Sequence, residues 1–379
     1  MKYTTTFAFI TFILAGLSCD IRTEIKDSKE ETGSPKAKNI ILLIGDGMGL
    51  SQVSSRFFNG DGNPNFGRFN QIGLIRTSSS NSKITDSAAA GTALSSGVKT
   101  YNGAIGVNPD TTLVPSILEY AHENLLSTGI VATSSITHAT PAAFYAHVRS
   151  RGTQEEIAEF LLEGKVDFFA AGGIQFFNKR ADSMNLLSAL TEKGYVMDTT
   201  RLADQHEAGQ KYGYLFAADA MPPMIQGRGN FLPDATLAAI NHLSKNEEGF
   251  FLMVEGSQID WGGHANNEEY LVGEVLDFDK AIGIALDFAE KDGNTLVVVT
   301  ADHETGGYTL GSTSKETSPG NTTNDYNQIT GAFSTTGHSA ALIPVFSYGP
   351  GSESFQGIYE NNLIFHKMME ARGWKEVKK

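Results

Sequence analysis

Five short runs of the chain are apolar almost without interruption, at residues 39–44, 129–133, 250–254, 295–300 and 343–348. Runs of this length without polar alternation are expected of strands covered on both faces, as in a parallel sheet. Between them, helical periodicity marks 113–124, 154–163, 235–245, 268–291 and 362–372. Thr153 followed by Glu156 predicts a capping box for one of these helices, and Asp234 predicts a cap for another. Strands alternating with helices predict an α/β fold with a doubly wound, mostly parallel central sheet and helices on both faces. Residues 164–233 are less regular and read as an elaboration of the same domain. The Ser-, Thr- and Asn-rich stretch 311–326 reads as a loop near the strand ends.

The N-terminus has a different pattern. Lys2, an apolar run from Phe7 to Leu17 and a few small residues lead to Cys19, the only cysteine of the chain. This reads as a signal peptide over 1–18, its apolar run being too short to span a bilayer, which takes roughly 20 residues. A cysteine just after such a run resembles the lipid-attachment site of a bacterial lipoprotein, although Gly16 stands where that pattern prefers Leu; simple cleavage into the periplasm is the alternative. Residues 19–37 are polar and suit a flexible tether, leaving 38–379 as a single large domain. The expected location is therefore outside the cytoplasm, in the periplasm or on the outer membrane, with membrane contact only through a lipid on Cys19. A formal charge of −14 argues against nucleic acid as a partner.

Candidate chemistry gathers at the ends of the apolar runs. Asp46 lies in NIILLIGDGMG; Asp86 and Ser87 lie in TDSAAAGT; Glu255, Asp260 and His264 lie in VEGSQIDWGGH; Asp302 and His303 close TLVVVTADH. Burying unpaired charges is costly, and open α/β sheets bind ligands outside the carboxyl ends of their strands. Asp260 and His264 are four apart, a spacing that brings both to one side of a helical turn, and His338 adds a further imidazole. Imidazole mixed with carboxylate suits zinc, whereas all-oxygen sets suit magnesium or calcium. Asp86 or Ser87 could simply cap the small-residue helix that follows. A nucleophilic Ser87 is the sharper reading, because a helix N-terminus favours an alkoxide and a phosphate. No histidine lies within a few residues to act as its base, so a metal would have to lower the hydroxyl pKa.

The segments LLIGDGMG, TDSAAAGTALSSGVKTYNGAIGV, ITHATPAAFYAHVRSR, FFLMVEGSQIDWGGH, VVVTADHETGGY and STTGHSAALIPVFSYGP resemble the alkaline phosphatase family, in that family's order and across nearly all of 38–350. The resemblance implies hydrolysis of phosphate monoesters through a phosphoserine, on two Zn2+ and one Mg2+. Asp46 would bridge one zinc and the magnesium-type site. Asp302 and His303 would complete the zinc that activates Ser87, and Asp260, His264 and His338 would hold the zinc that activates water. Thr140 and Glu255 would bind the third metal. Arg151 would grip two phosphate oxygens and Asp86 would orient it. Two positions depart from the best-known bacterial pattern. His138 replaces an Asp near the third metal, which favours zinc or cobalt there, and Trp261 replaces a Lys near the phosphate, either as a packed pocket wall or as a substrate contact. Members of the family are commonly homodimers. His122, His147, His206, His242 and His366 read as ordinary surface or core residues.

Other classes fit less well. A sulfatase needs Cys or Ser in a C/S-x-P-x-R context, but Ser87 is followed by three alanines. A phosphodiesterase of the same superfamily usually carries Thr as nucleophile and lacks the pairing of Ser87 with Arg151. A non-catalytic metal- or phosphate-binding lipoprotein would be expected to miss a ligand or the nucleophile, and neither is missing.

Overall fold

Strand β1 (Asn39–Gly45) is buried along its whole length and lies inside a ten-stranded sheet. Its other members are β2 (Gln71–Arg76), β3 (Ser127–Ser135), β4 (Phe168–Gly172), β5 (Tyr195–Asp198), β6 (Lys211–Leu215), β7 (Phe250–Gly256), β8 (Thr295–Thr300), β13 (Ile343–Tyr348) and β14 (Gly357–Glu360). Four further strands form two two-stranded sheets: the two-residue β9 (Glu304–Thr305) with β12 (His338–Ser339), and the longer β10 (Thr309–Ser318) with β11 (Asn321–Ala332). The computed structural model describes residues 1–2 and 36–375, so all but the first two residues of the signal peptide, Cys19 and most of the tether lie outside the described residues. Among the described residues no helix is long and apolar enough to cross a membrane.

The large sheet runs β14-β2-β13-β8-β1-β7-β3-β4-β6-β5. From β8 to β5 all pairings are parallel, and β13 is antiparallel to both of its neighbours. Helix Phe231–Leu243 packs on β3, β4 and β7, and the long helix Glu268–Asp292 packs on β1, β7 and β8. All five predicted strands are present, in the α/β arrangement expected. The five others are short or, like QIGLIR of β2, only half-buried, so their apolar signal is weak. The irregular stretch 164–233 contributes β4, β5 and β6, which extend this same sheet at one edge.

Local signals were less dependable than the apolar runs. The Thr153 side chain makes no cap bond to its helix; its Oγ1 donates to the Ser150 carbonyl at 3.0 Å, and the helix Gln154–Glu159 tightens into a 3-10 turn over Phe160–Glu163. A complete capping box forms instead at Ser116 and Glu119, so the helix expected from 113 begins at Ile117. Asp234 lies within the first turn of Phe231–Leu243, whose cap position is Asn230. Pro233 is tolerated so early because the first-turn N–H groups have no intrahelical acceptor to lose. The stretch 311–326 is not a loop but most of the β10–β11 hairpin, exposed along nearly its whole length. With neither face buried, such strands show no apolar alternation to read.

Glu119 does more than cap. Its Oε1 accepts from Lys165 Nζ at 2.8 Å and from His147 Nε2 at 3.1 Å, while His147 Nδ1 donates to the Gly106 carbonyl at 2.7 Å. Burial would raise this carboxyl, but the hydrogen bonds and charges of His147 and Lys165 outweigh it and hold Glu119 down at about 2. Its stabilisation is therefore complete above the ordinary carboxyl range near 4.5 and fades as pH falls towards about 2. Glu119→Gln is expected to cost about 3 kcal/mol at pH 7. In melts at stepped pH, the gap between wild type and variant should close below pH 4.5; a gap constant down to the acid limit would refute this.

Candidate metal and phosphoryl-transfer site

Four neighbouring parallel strands deliver the site. In the register Ile44 of β1 sits beside Glu255 of β7 on one side and Thr300 of β8 on the other, while Ala132 of β3 sits beside Glu255. The residues just past these levels are Asp46, Glu255 with the helix Gln258–His264, Asp302 with His303, and the short helix Ala139–Ala142 preceded by His138. Asp302 and His303 lie beyond the last residue of β8, so adjacent side chains can converge. Gly47 turns the chain away from β1 at φ +70°, and a Cβ there would lie 2.6 Å from the Asp260 Cα. The turn after Asp46 and the helix carrying Asp260 can touch only because this residue is glycine.

Three clusters result, each with candidate ligand atoms within 4.8 Å of one another: Asp260, His264 and His338; Asp46, Asp302 and His303; and Asp46, Glu255 and His138. Asp46 belongs to two of them. The imidazoles are aimed by their other nitrogens. His264 Nδ1 donates to the Thr336 carbonyl at 2.6 Å and His338 Nδ1 to the Thr85 carbonyl at 2.9 Å, so the two Nε2 lone pairs face each other at 3.2 Å. Thr305 Oγ1 donates to Asp260 Oδ1 and lies 3.2 Å from His303 Nδ1, which leaves His303 Nε2 beside Asp302 at 3.1 Å and Asp46 at 3.6 Å. Such second partners fix the tautomer a metal ligand needs.

The donor set calls for cations. Asp46, Glu255 and Asp302 are fully buried and Asp260 is 5 % exposed. Among the described residues no hydrogen bond is made to either oxygen of Asp46, to Oε1 of Glu255 or Oδ2 of Asp302, or by Nδ1 of His138. Burial, reinforced by the charges of Asp302, Asp260 and Glu255, pushes the Asp46 carboxyl well above its usual range. Burial likewise takes Glu255 up to about 8, although Ser257 and Ser134 donate to its Oε2 at 2.7 and 3.2 Å. Unpaired carboxylates packed this way are stable only with positive charge between them. The hydroxyl of Thr140 is likewise buried with no hydrogen-bond partner among the described residues.

Ser87 is the first residue of the helix Ser87–Ser96, which Asp86 caps through Oδ1 to the Ala89 N–H at 3.0 Å. The other oxygen of Asp86 accepts from Gly103 N at 3.0 Å and from Arg151 Nη1 at 3.2 Å. Arg151 is held further by Nη2, which donates to His138 Nε2 at 3.1 Å. Burial and the adjacent guanidinium depress the His138 imidazole to about 3, so it is neutral and able to accept. Trp261 meets the His138 ring edge-on at 6.0 Å, in keeping with a wall of the pocket. The chain separation of Ser87 from every histidine is bridged by folding, which sets Ser87 Oγ 3.3 Å from His303 Nε2.

All thirteen residues singled out in the sequence lie in or against this edge. Thr305, Ser134 and Ser257 went unnoticed, because a hydroxyl that supports a ligand leaves no pattern in sequence. Stripping metal from the folded protein with a chelator should lower its melting temperature by several degrees, with recovery on adding zinc. Asp46→Asn should raise the metal-free melting temperature, by removing one of the mutually repelling carboxylates, while abolishing most of the recovery; a metal-free Asp46→Asn less stable than metal-free wild type would contradict the repulsion.

Residues 37–333 match the family model described as Alkaline phosphatase. The chain is 34% identical over 439 aligned residues to Alkaline phosphatase 4 of Bacillus subtilis (strain 168), an alignment covering 94% of this chain and 95% of that one. It is 34% identical over 431 residues to the alkaline phosphatase of Escherichia coli (strain K12), covering 95% and 90%. Among solved structures, the alkaline phosphatase of the Antarctic bacterium TAB5 is 56% identical, with a TM-score of 0.87, covering 90% of this chain and 100% of that one. A variant of that enzyme, with a histidine exchanged for Glu and Mg bound in its M3 site, has a TM-score of 0.88 at the same identity and coverage.

Proposed function

This chain belongs to the alkaline phosphatase family and is a phosphoric monoester hydrolase, and we propose that it works through a phosphoserine formed on Ser87. One observation carries this reading: Ser87 Oγ lies at the amino end of a ten-residue helix and 3.3 Å from His303, a member of the cluster with Asp46 and Asp302. Asp46, Asp302 and His303 would hold one zinc, Asp260, His264 and His338 a second, and Asp46, Glu255, Thr140 and His138 the third ion. When bound, these ions supply Lewis acidity, lowering the pKa of a hydroxyl or water and neutralising charge on the attacking and leaving oxygens.

The protein groups then have separable tasks. Arg151, anchored by Asp86, presents its guanidinium to two oxygens of the phosphoryl group, and the helix N-terminus adds N–H dipoles to the same charge. Ser87 Oγ attacks phosphorus, the P–O bond to the alcohol breaks, and the phosphoryl group is left on Ser87. Water attacks from the opposite side in the second step, returning Ser87 and releasing phosphate. Trp261 brings no positive charge to the pocket, which favours release of the product. The neutral His138 favours zinc or cobalt over magnesium in the third cluster. Variants of the TAB5 enzyme with Glu or Asp in place of a histidine carry Mg in the M3 site, which is the same preference of a hard cation for oxygen.

The same reading takes residues 1–18 as an export signal, Cys19 as a lipid anchor ahead of a flexible tether, residues 38–379 as one catalytic domain, and the working form as a homodimer. Its natural esters are small and soluble.

Ser87→Ala should lower kcat for p-nitrophenyl phosphate by at least about 10³-fold, and a trapped acid-stable phosphoprotein should be absent from the variant. An equal phosphoenzyme yield in Ser87→Ala would overturn the nucleophile assignment. His138→Asp should raise magnesium bound per chain under metal competition, and unchanged magnesium content would count against His138 as the determinant of the third ion.

A further inference from the structure

Glu304 follows His303 directly, yet it belongs to none of the three clusters. It is 4 % exposed and its carboxylate is fully engaged. Oε1 accepts from Gln52 Nε2 at 2.8 Å and from the Tyr308 N–H at 3.0 Å, and Oε2 accepts from Ser339 Oγ. Gln52, also buried, donates in addition to the Thr305 carbonyl at 2.9 Å. Three separate stretches therefore meet on one side chain: the helix Leu50–Phe58 that follows Asp46, the β9 turn, and β12, which carries His338. Even the turn before that helix is shaped to it, since a Cβ on Gly49 would lie 2.4 Å from the Glu304 Cγ.

The β9–β12 ladder pairs only His338 with Thr305 and Ser339 with Glu304. A two-stranded ladder is marginal even at greater length. The backbone pairing alone thus leaves the position of His338 weakly defined, in the more exposed of the three clusters, where the His264 side chain is 41 % exposed. We propose that Glu304 is a positioning residue: through Ser339 it fixes β12 against the helix Leu50–Phe58, and so sets His338 Nε2 relative to His264 and Asp260 and tunes the metal affinity of that cluster alone. The inference rests on the reading that Asp260, His264 and His338 hold a zinc ion.

The test is titration of metal-free protein with Zn2+ against a chromophoric chelator, for wild type, Glu304→Ala, Glu304→Gln and Ser339→Ala, with His338→Ala marking the site. Outer-sphere partners of metal ligands typically contribute 10- to 100-fold in affinity. Glu304→Ala and Ser339→Ala are each expected to weaken, by about 10- to 100-fold, only the zinc that His338→Ala removes. Glu304→Gln should lie nearer wild type, because its carbonyl can accept from Gln52 and Tyr308 while its amide donates to Ser339. Wild-type zinc affinity in folded Glu304→Ala or Ser339→Ala, or equal weakening at every site, overturns the inference. If Glu304→Ala fails to fold, Ser339→Ala decides alone, since it removes only the link to β12. Should His338→Ala bind as much zinc as wild type, the metal reading of the cluster falls and the inference falls with it.

Discussion

Mutual repulsion among four buried carboxylates is the constraint on which this molecule turns. Asp46, Glu255, Asp260 and Asp302 converge at the ends of adjacent strands, while Arg151 at their border bonds to Asp86 and His138. Burial, with the charge of neighbouring carboxylates added to it, displaces Asp46 and Glu255 upward. Metal binding is then part of the folding free energy at this edge and not a later addition. The sheet supplies the rigidity needed to hold like charges together: β1, β7 and β8 are buried along their full lengths and locked in register on both sides.

Close approach of backbones is the second requirement, and small residues meet it. Gly47 admits the helix bearing Asp260, and Gly263 lies against Thr305, whose hydroxyl links Asp260 to His303. The helix starting at Ser87 is built of Ala, Gly, Ser and Thr apart from Leu94, and is buried throughout. Gly91 approaches Thr140 and Ala143 closely enough that even one methyl would be tight. Larger side chains would move Ser87 away from the strand ends. Asp86 meanwhile spends one oxygen on the helix cap and the other on Arg151, so the start of the Ser87 helix and the Arg151 guanidinium share a single anchor.

Legibility followed burial. The five mostly apolar runs were readable as strands because both faces are covered and little that is polar interrupts them. The hairpin over Thr309–Ser318 and Asn321–Ala332 was not, because pairing between its strands is satisfied by backbone bonds that any polar residue can make. Caps were misplaced at Thr153 and Asp234 for a related reason. A Ser, Thr or Asp beside a helix can bond locally in several ways, and tertiary contacts choose among them.

The identity of the chemistry was in the sequence, since carboxylates and imidazoles that cannot be buried unpaired stood at the ends of strand-like runs, and six ordered motifs resemble one family. Their mutual arrangement was not. That Asp46 serves two clusters, that His303 reaches Ser87 across the intervening chain, and that Glu304 ties β12 to the first helix all depend on which strands become neighbours and at what level they end. Strand order is decided by packing the whole sheet against its helices. No local pattern of residues encodes it, because the energy that selects it is distributed over the entire core.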